Sequence, residues 1–468
     1  MSVVLGINAF HAGASAALLV DGKPVAAIAE ERLNRVKYFA GFPRLAVRRC
    51  LAEAGLTFAD IDAVAVGRDS SANRGKKIAY ALSHPAELFQ LARMRTSRGA
   101  LDDLKSLIAH ECGVPQLSLR FQQHAVEHHL AHIASAYFPS GWNRAAGISI
   151  DGSGDFVACM MADCCGNEIV IKRRIFVPHS LGALYMMVCE FIGYNKYGDE
   201  GKVMGLAPLG TNRYKDVFDG MVRLTDSGME LNLDWFAPFG SNQGMSIDEN
   251  GEMKVHRQYS DKMVQTFGAA RERHGPITER DQDLAFGVQY IFEKTYLHLL
   301  NILHRLVPTE RVVLAGGCAL NSVANGMIFD RTPFRQTWIQ PAAGDDGLSL
   351  GAALYVSRVI MREAANYTMK DAYLGPSYGE DVMQAELERA GVKFRKLSRE
   401  KLIAESVDEI EKGNVVGWFQ GRSEWGPRAL GNRSILTHPG FPGMKDILNS
   451  RIKRREAFRP FAPAVLAE

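Results

Sequence analysis

The segment QHAVEHHLAH, residues 123–132, spaces His124, His128 and His132 four residues apart. On a helix that spacing puts three imidazoles on one face. Two neutral imidazoles at i and i+4 can chelate one divalent ion. Leu130, Ile133 and Ala134, interleaved with them, give the same helix an apolar side. Carboxylates would complete such a site, and two stand in turns suited to it: Asp151 ends the strand GISID and Asp345 lies in GDDG. Mixed nitrogen and oxygen donors suit iron, manganese or zinc better than magnesium, and open positions on the ion would bridge to phosphate oxygens. Asp199, Glu200 and Lys202 precede an irregular Gly/Pro stretch and read either as ligand contacts or as a solvated turn. Near the end, GRSEWGPRALGNRSIL and NSRIKRREAFRPFAP gather arginines around Trp425, Phe458 and Phe461. Convergent guanidiniums hold a small anion through bidentate hydrogen bonds. A basic cluster with aromatics also fits RNA, or the aromatics simply pack.

These groups need elements to hold them. Residues 3–32 and 146–172 follow the same order: an apolar run, a Gly/Ser-rich turn, a second strand, a tight turn and a third strand. Asp21-Gly22 between two apolar runs is a strong hairpin signal. Two such hairpins separated by helical segments mark the actin-like (ASKHA) ATPase fold, whose two related lobes clamp a nucleotide. A third element, RVVLAGGCALN, runs from a buried strand through Gly316-Gly317 into a helix whose N-terminus favours an anion. Periodicity predicts helices over 43–55, 75–112, 124–138, 181–193 and 281–306, and a strand at 337–340. Residues 1–365 thus read as one α/β domain and 366–381 as a linker. Residues 382–468 read as a smaller α/β unit, with helices at 382–391 and 399–412 before the strand NVVGWF.

The 468 residues suggest roughly two to four domains. At 47% hydrophobic and 23% charged the chain is globular rather than disordered or fibrous. The N-terminus reads directly as a strand without a basic leader, and no apolar run approaches membrane-spanning length, so a cytoplasmic, membrane-free protein is expected. Seven cysteines without a C-x-x-C pair argue against a disulfide framework and a zinc ribbon. Net charge is only +3, but from Asn414 onward nine basic residues face four acidic ones. Such a focus suits an anionic ligand.

Taken together, the sequence resembles the NodU/CmcH family of O-carbamoyltransferases. The resemblance spans essentially the whole chain and rests on EHHLAHIASAYFPS, SIDGSGD, EGKVMGLAP, LAGGCALN, PAAGDDG, GRSEWGPRALGNRSIL and IKRREAFRPFAP. It implies an actin-like domain similar to threonylcarbamoyl-transferases, followed by a YrdC-like domain that here reads as partial, ending at RPFAPAVLAE. The YrdC-like domain would make carbamoyl-adenylate from carbamoyl phosphate and ATP. The first domain would pass the carbamoyl group to a hydroxyl of a small molecule such as an antibiotic, a sugar or a lipo-oligosaccharide. By motif position His128, His132, Asp151 and Asp345 match the family's metal ligands, with Fe2+ expected first and Mn2+ or Zn2+ as substitutes. His11, Lys37, Arg428, Lys453 and Arg459 match catalytic positions. Asp151, Gly152, Ser153, Glu200, Lys202, Gly316, Gly317 and Asn321 would meet the nucleotide. In relatives an Asp commonly adjoins the first-turn histidine, where this chain has His11-Ala12-Gly13. A homodimer fits the family and nucleic acid does not suit the low net charge. A tRNA threonylcarbamoylation enzyme, an inactive ATP-binding module and a sugar kinase are the alternative readings.

Overall fold

A computed structural model describes residues 1–84, 101–237, 244–364 and 367–466. The chain divides into two compact units, Met1–Asp371 and Ala372–Glu468. In the first unit, β1 (Val3–Asn8), β2 (Ser15–Val20) and β3 (Lys23–Ala29) form an antiparallel meander. Asp21 and Gly22 both adopt positive φ (49° and 69°), the conformation that a two-residue hairpin turn requires. Strand β4 (Ala63–Val66) joins β1 in parallel, and β5 (Gln122–Ala125) joins β4 in parallel. The order is β3-β2-β1-β4-β5.

The second half repeats this plan. Strands β6 (Arg144–Gly154), β7 (Val157–Cys165) and β8 (Glu168–Phe176) form the meander. Two small antiparallel ribbons follow, β9 (Val222–Thr225) with β10 (Gly228–Leu231) and β11 (Met245–Ile247) with β12 (Met253–Val255). Strand β13 (Arg311–Ala315) then pairs in parallel with β6, and β14 (Gln336–Ile339) with β13. The order β14-β13-β6-β7-β8 is the mirror of the first sheet's listing, with the first meander strand again beside the first parallel one. Two sheets of this shared topology in one unit are the actin-like fold that the paired hairpins predict.

Side-chain alternation along β1 explains what covers the first sheet. Val3, Leu5 and Ile7 share a core with Ala46, Val47 and Cys50 of helix α1 (Arg44–Glu53). Gly6 faces the other way; a Cβ there would lie 1.8 Å from the Ser349 carbonyl oxygen, so only glycine lets the next-packed helix approach. His128, His132 and Asp151 are positioned by α2 (His128–Tyr137), α3 (Leu181–Phe191) and the short α4 (Glu200–Leu206) around β6. The 28-residue α5 (Glu279–Leu306) begins at a capping box in which Thr278 and Asp281 satisfy each other's backbone amides. Helix α6 (Leu348–Tyr355) packs against β1, β2, β4 and α2.

Two helix expectations change. The four-residue spacing predicts His124 on the same helix as His128, but His124 belongs to β5, paired opposite Ala65. Hydrogen bonding to β4 takes residues 122–125, and Glu127, in a non-helical conformation, starts the helix at His128. The single helix expected over 75–112 is two helices, Arg74–Ser83 and Leu104–Cys112, with residues 85–100 outside the described part.

In the second unit, α7 (Glu380–Arg389) and α8 (Arg399–Glu411) precede an antiparallel ribbon of β15 (Val416–Phe419) and β16 (Arg433–Leu436). Trp425, Met444 and Leu448 form its buried interior with Ala372 and Leu374, while neither helix buries a residue fully. Residues 366–381, read as a linker, lie across the boundary between units. Within the second unit, Trp425 donates its amide to the Ala372 carbonyl, Ser423 to Pro376 and Gly375 to Ser423. Among the described residues no helix is long and apolar enough to cross a membrane. The seven cysteines are free, and only Cys165 is exposed.

Candidate metal centre

The carboxyl ends of the parallel strands in both sheets meet around one buried cluster. His128 and His132 enter it from the first turns of α2, Asp151 from β6, and Asp345 from the turn after β14. His128 Nε2 lies 3.3 Å from Asp151 Oδ2 and 3.5 Å from Asp345 Oδ1; His132 Nε2 lies 3.7 Å and 3.4 Å from the same atoms. One donor atom from each residue falls within 4.8 Å of all the others. Donors bound to one ion at roughly 2.0–2.2 Å sit about 3–3.5 Å apart. His132 Nε2 and Asp345 Oδ1 are buried and have no hydrogen-bond partner among the described residues. Buried polar atoms left so are costly unless something absent from the protein chain satisfies them. The residues therefore fit a divalent metal.

Each carboxylate is held by its other oxygen. Gly317 donates its amide to Asp151 Oδ1 at 2.9 Å, leaving Oδ2 for the cluster. Gly316 makes that approach possible: its φ is +88°, and a Cβ there would stand 2.3 Å from the Ile150 carbonyl oxygen. Asp345 Oδ2 accepts from the Tyr197 hydroxyl at 3.2 Å and lies 2.7 Å from His11 Nδ1. The His128 amide donates to Asp155 Oδ2, and its ring lies against Gly154, where a Cβ would come within 2.0 Å.

Charge follows this geometry. Burial pulls His132 toward neutrality, but its contacts with Asp151 and Asp345 outweigh burial and lift its pKa to about 9 in the metal-free site. Burial would raise Asp151 and Asp345; the histidines instead hold both carboxyls below their ordinary range. His129, on the neighbouring face, is pushed down to about 3 by burial and by His128 and His132. It is a neutral packing residue, bonded to the Ser149 hydroxyl and the Val157 carbonyl oxygen.

The other expected residues fall into three groups. His11 is beside the centre, its ring 5.9 Å from that of His128. Exposed Lys37 stands over the Tyr38 ring, which contacts Tyr197 and so borders the same region. Glu200, at the start of α4, is pushed up to about 7 by burial and by the charges of Asp199 and Asp151. Lys202 pairs with Asp199 at 2.8 Å. Gly152 backs onto Gly182 and Ser153 is exposed. Asn321 caps a short helix through the Ala324 amide and exchanges hydrogen bonds with Gln289, so its side chain already has an anchoring task. His124, half-buried in β5, stands outside the metal group.

Arg428, Lys453 and Arg459 belong to the second unit. Arg428 and Lys453 are exposed. Arg455, held by Asn449, has its pKa lowered by burial and by repulsion from Arg459 and Arg428, which places these three guanidiniums in one field. Glu424 organises the loop that carries Arg428: one carboxylate oxygen accepts the amides of Leu430, Asn432 and Arg433. The sequence reading missed three supports, Tyr197, Glu424 and Arg68. The first two sit inside EGKVMGLAP-adjacent and GRSEWGPRALGNRS segments that were already conspicuous; Arg68 carries no such mark.

Comparison with known proteins shows the family. The family description "Carbamoyltransferase N-terminus" matches residues 3–354, and "Carbamoyltransferase C-terminus" matches residues 407–468. The uncharacterized protein sll1178 of Synechocystis sp. is 36% identical across all of this chain and 76% of that protein. Nodulation protein NolNO of Sinorhizobium fredii is 33% identical across 98% of this chain and 63% of that protein. The crystal structure of T. kodakarensis HypF aligns with 77% of this chain and 48% of its own, at 15% identity and a TM-score of 0.36. Matched in order along both of its units, the chain belongs to the carbamoyltransferase family.

Proposed function

We propose that the chain is an O-carbamoyltransferase that forms carbamoyl-adenylate from carbamoyl phosphate and ATP and transfers the carbamoyl group to a hydroxyl of a small molecule. The observation that carries the reading is the convergence of His128, His132, Asp151 and Asp345 with two of their donor atoms unsatisfied, in a chain of this family. A divalent ion held by these four residues, ferrous iron foremost, would supply Lewis-acid stabilisation of the departing phosphate.

The chain's own groups account for the proton and the anion. The Asp345 carboxylate beside His11 Nδ1 favours a proton on that nitrogen, which leaves Nε2 as the base. His11 Nε2 accepts the proton of the acceptor hydroxyl as its oxygen bonds to the carbamoyl carbon and the bond to AMP breaks. Arg428, Lys453 and Arg459 give the second unit the positive field to hold carbamoyl phosphate and the phosphates of ATP, stabilising charge that grows as phosphate and pyrophosphate leave. Glycines 316 and 317, Glu200 and Lys202 border the nucleotide in the first unit.

The test is release of pyrophosphate and phosphate from ATP plus carbamoyl phosphate, without acceptor. Release that requires carbamoyl phosphate and falls at least about tenfold in Arg428→Ala, the loss expected for a charge-assisted bidentate contact, supports the reading. Absence of release, with ATP still bound, would instead favour an ATP-binding module.

A further inference from the structure

Arg68 follows β4 at the carboxyl edge of the first sheet, in the turn Gly67-Arg68. With Asn8, His11, His128 and Gly154 it lines a small pocket that borders the metal centre. The guanidinium is half-buried, yet among the described residues no hydrogen bond or salt bridge engages it. The acids nearest in charge, Asp155 and Asp345, are committed elsewhere. Asp155 Oδ2 accepts the amides of Asp69 and His128. Asp345 Oδ2 meets Tyr197 and His11, and its Oδ1 faces the two histidines.

A guanidinium offers five donors in a planar fork and cannot shed its charge in a protein. Half-buried at the pocket with none of those donors used within the described chain, it is free to take a partner there. The partner's chemistry follows from the fork. Paired parallel donors match the two oxygens of a phosphate or carboxylate, whereas a neutral hydroxyl would use one donor and leave the charge unmatched. The apolar remainder of the lining, Ala9, Val66 and Gly67, offers no competing cation.

We infer that Arg68 is a substrate-binding residue, which holds a phosphate or carboxylate group in the cavity between its guanidinium and the metal centre. The inference rests on the carbamoyl-transfer reading and deepens it. Two sources supply such an oxyanion: the phosphoryl group of the donor, or an acidic group on the acceptor.

The test is calorimetric titration of the full chain, metal-free and loaded anaerobically with ferrous iron, using inorganic phosphate, AMP and acetate as probes. Wild type is compared with Arg68→Met and Arg68→Lys, with iron content and thermal melting recorded for each. The expected result is that Arg68→Met weakens phosphate binding about tenfold or more while retaining iron and fold. Arg68→Lys should recover only part of it, because an ammonium lacks the fork. Parallel weakening of AMP assigns the oxyanion to the donor; weakening of phosphate and acetate with AMP unchanged assigns it to an acidic acceptor. Phosphate binding that is absent from wild type, unchanged in Arg68→Met, or lost only together with iron overturns the inference and leaves Arg68 as a counter-charge for Asp155 and Asp345. Failure of wild type to hold iron would refute the metal reading separately, and the metal-free titration would still decide Arg68.

Discussion

At the residue scale the centre depends on how each carboxylate divides its two oxygens. Asp151 gives Oδ1 to the Gly317 amide, and Asp345 gives Oδ2 to Tyr197 and His11, so one oxygen of each is aimed at the histidines. Outer partners of this kind commonly contribute about 10–100-fold to metal affinity. Tyr197→Phe should therefore weaken ferrous iron binding by roughly tenfold in a chelator competition while leaving the stoichiometry intact. Unchanged affinity would mean that Tyr197 does not orient Asp345. His129 provides the contrast. Its two ring nitrogens satisfy Ser149 and Val157 in the core, so His129→Ala should cost about 2–5 kcal/mol in chemical denaturation. Iron binding by the folded fraction should persist.

At the element scale the histidines are presented by the crossing of α2 and α6. A Cβ on Gly351 would come 1.9 Å from the Ala131 carbonyl oxygen, one residue before His132. Gly351→Ala must therefore part the helices, shifting His132 relative to Asp345. A loss of about 1–3 kcal/mol, measured by urea unfolding, is expected together with weaker iron binding. Full stability would show that the crossing yields easily. Much of this level is legible in the sequence. Asp21-Gly22 encodes the first hairpin because only a few residues tolerate positive φ; His128 and His132 stand at a helical spacing that suits chelation, while Asp151 and Asp345 stand in turns that only the family resemblance marks as ligands. His124 shows the limit. Its spacing continues the histidine period, but pairing with β4 lies some sixty residues away in sequence and overrides the local pattern. Arg68 was invisible for a related reason: a lone arginine in a turn acquires meaning only when His11, His128 and Gly154 are folded around it.

At the scale of the whole molecule, duplicated sheets bring the carboxyl ends of their parallel strands to one place, where ligand sites of open α/β sheets form. The fold bears electrostatic costs away from that place. Glu190, at the end of α3, is pushed up to about 7 by burial, against the opposing Gln258 amide and the charge of Arg257. An unfolded carboxyl ionises near its ordinary 4.5, so between that value and 7 the folded chain holds a proton that the unfolded chain has lost. Stability from this group is complete below pH 4.5 and falls as pH rises toward 7. Glu190→Gln should accordingly raise the melting temperature at pH 8 more than at pH 5; an equal gain at both would contradict the assignment.

The measurement that bears most directly on the account is the iron content of the full chain after anaerobic reconstitution with ferrous iron, compared with His132→Ala. His132 is wholly buried, and its Nε2 has no hydrogen-bond partner among the described residues, so its removal tests ligation rather than solvation. The account predicts one tightly held ion per wild-type chain and loss of that ion in a variant that remains folded. An ion retained by His132→Ala with undiminished affinity, or none held by wild type, would contradict it.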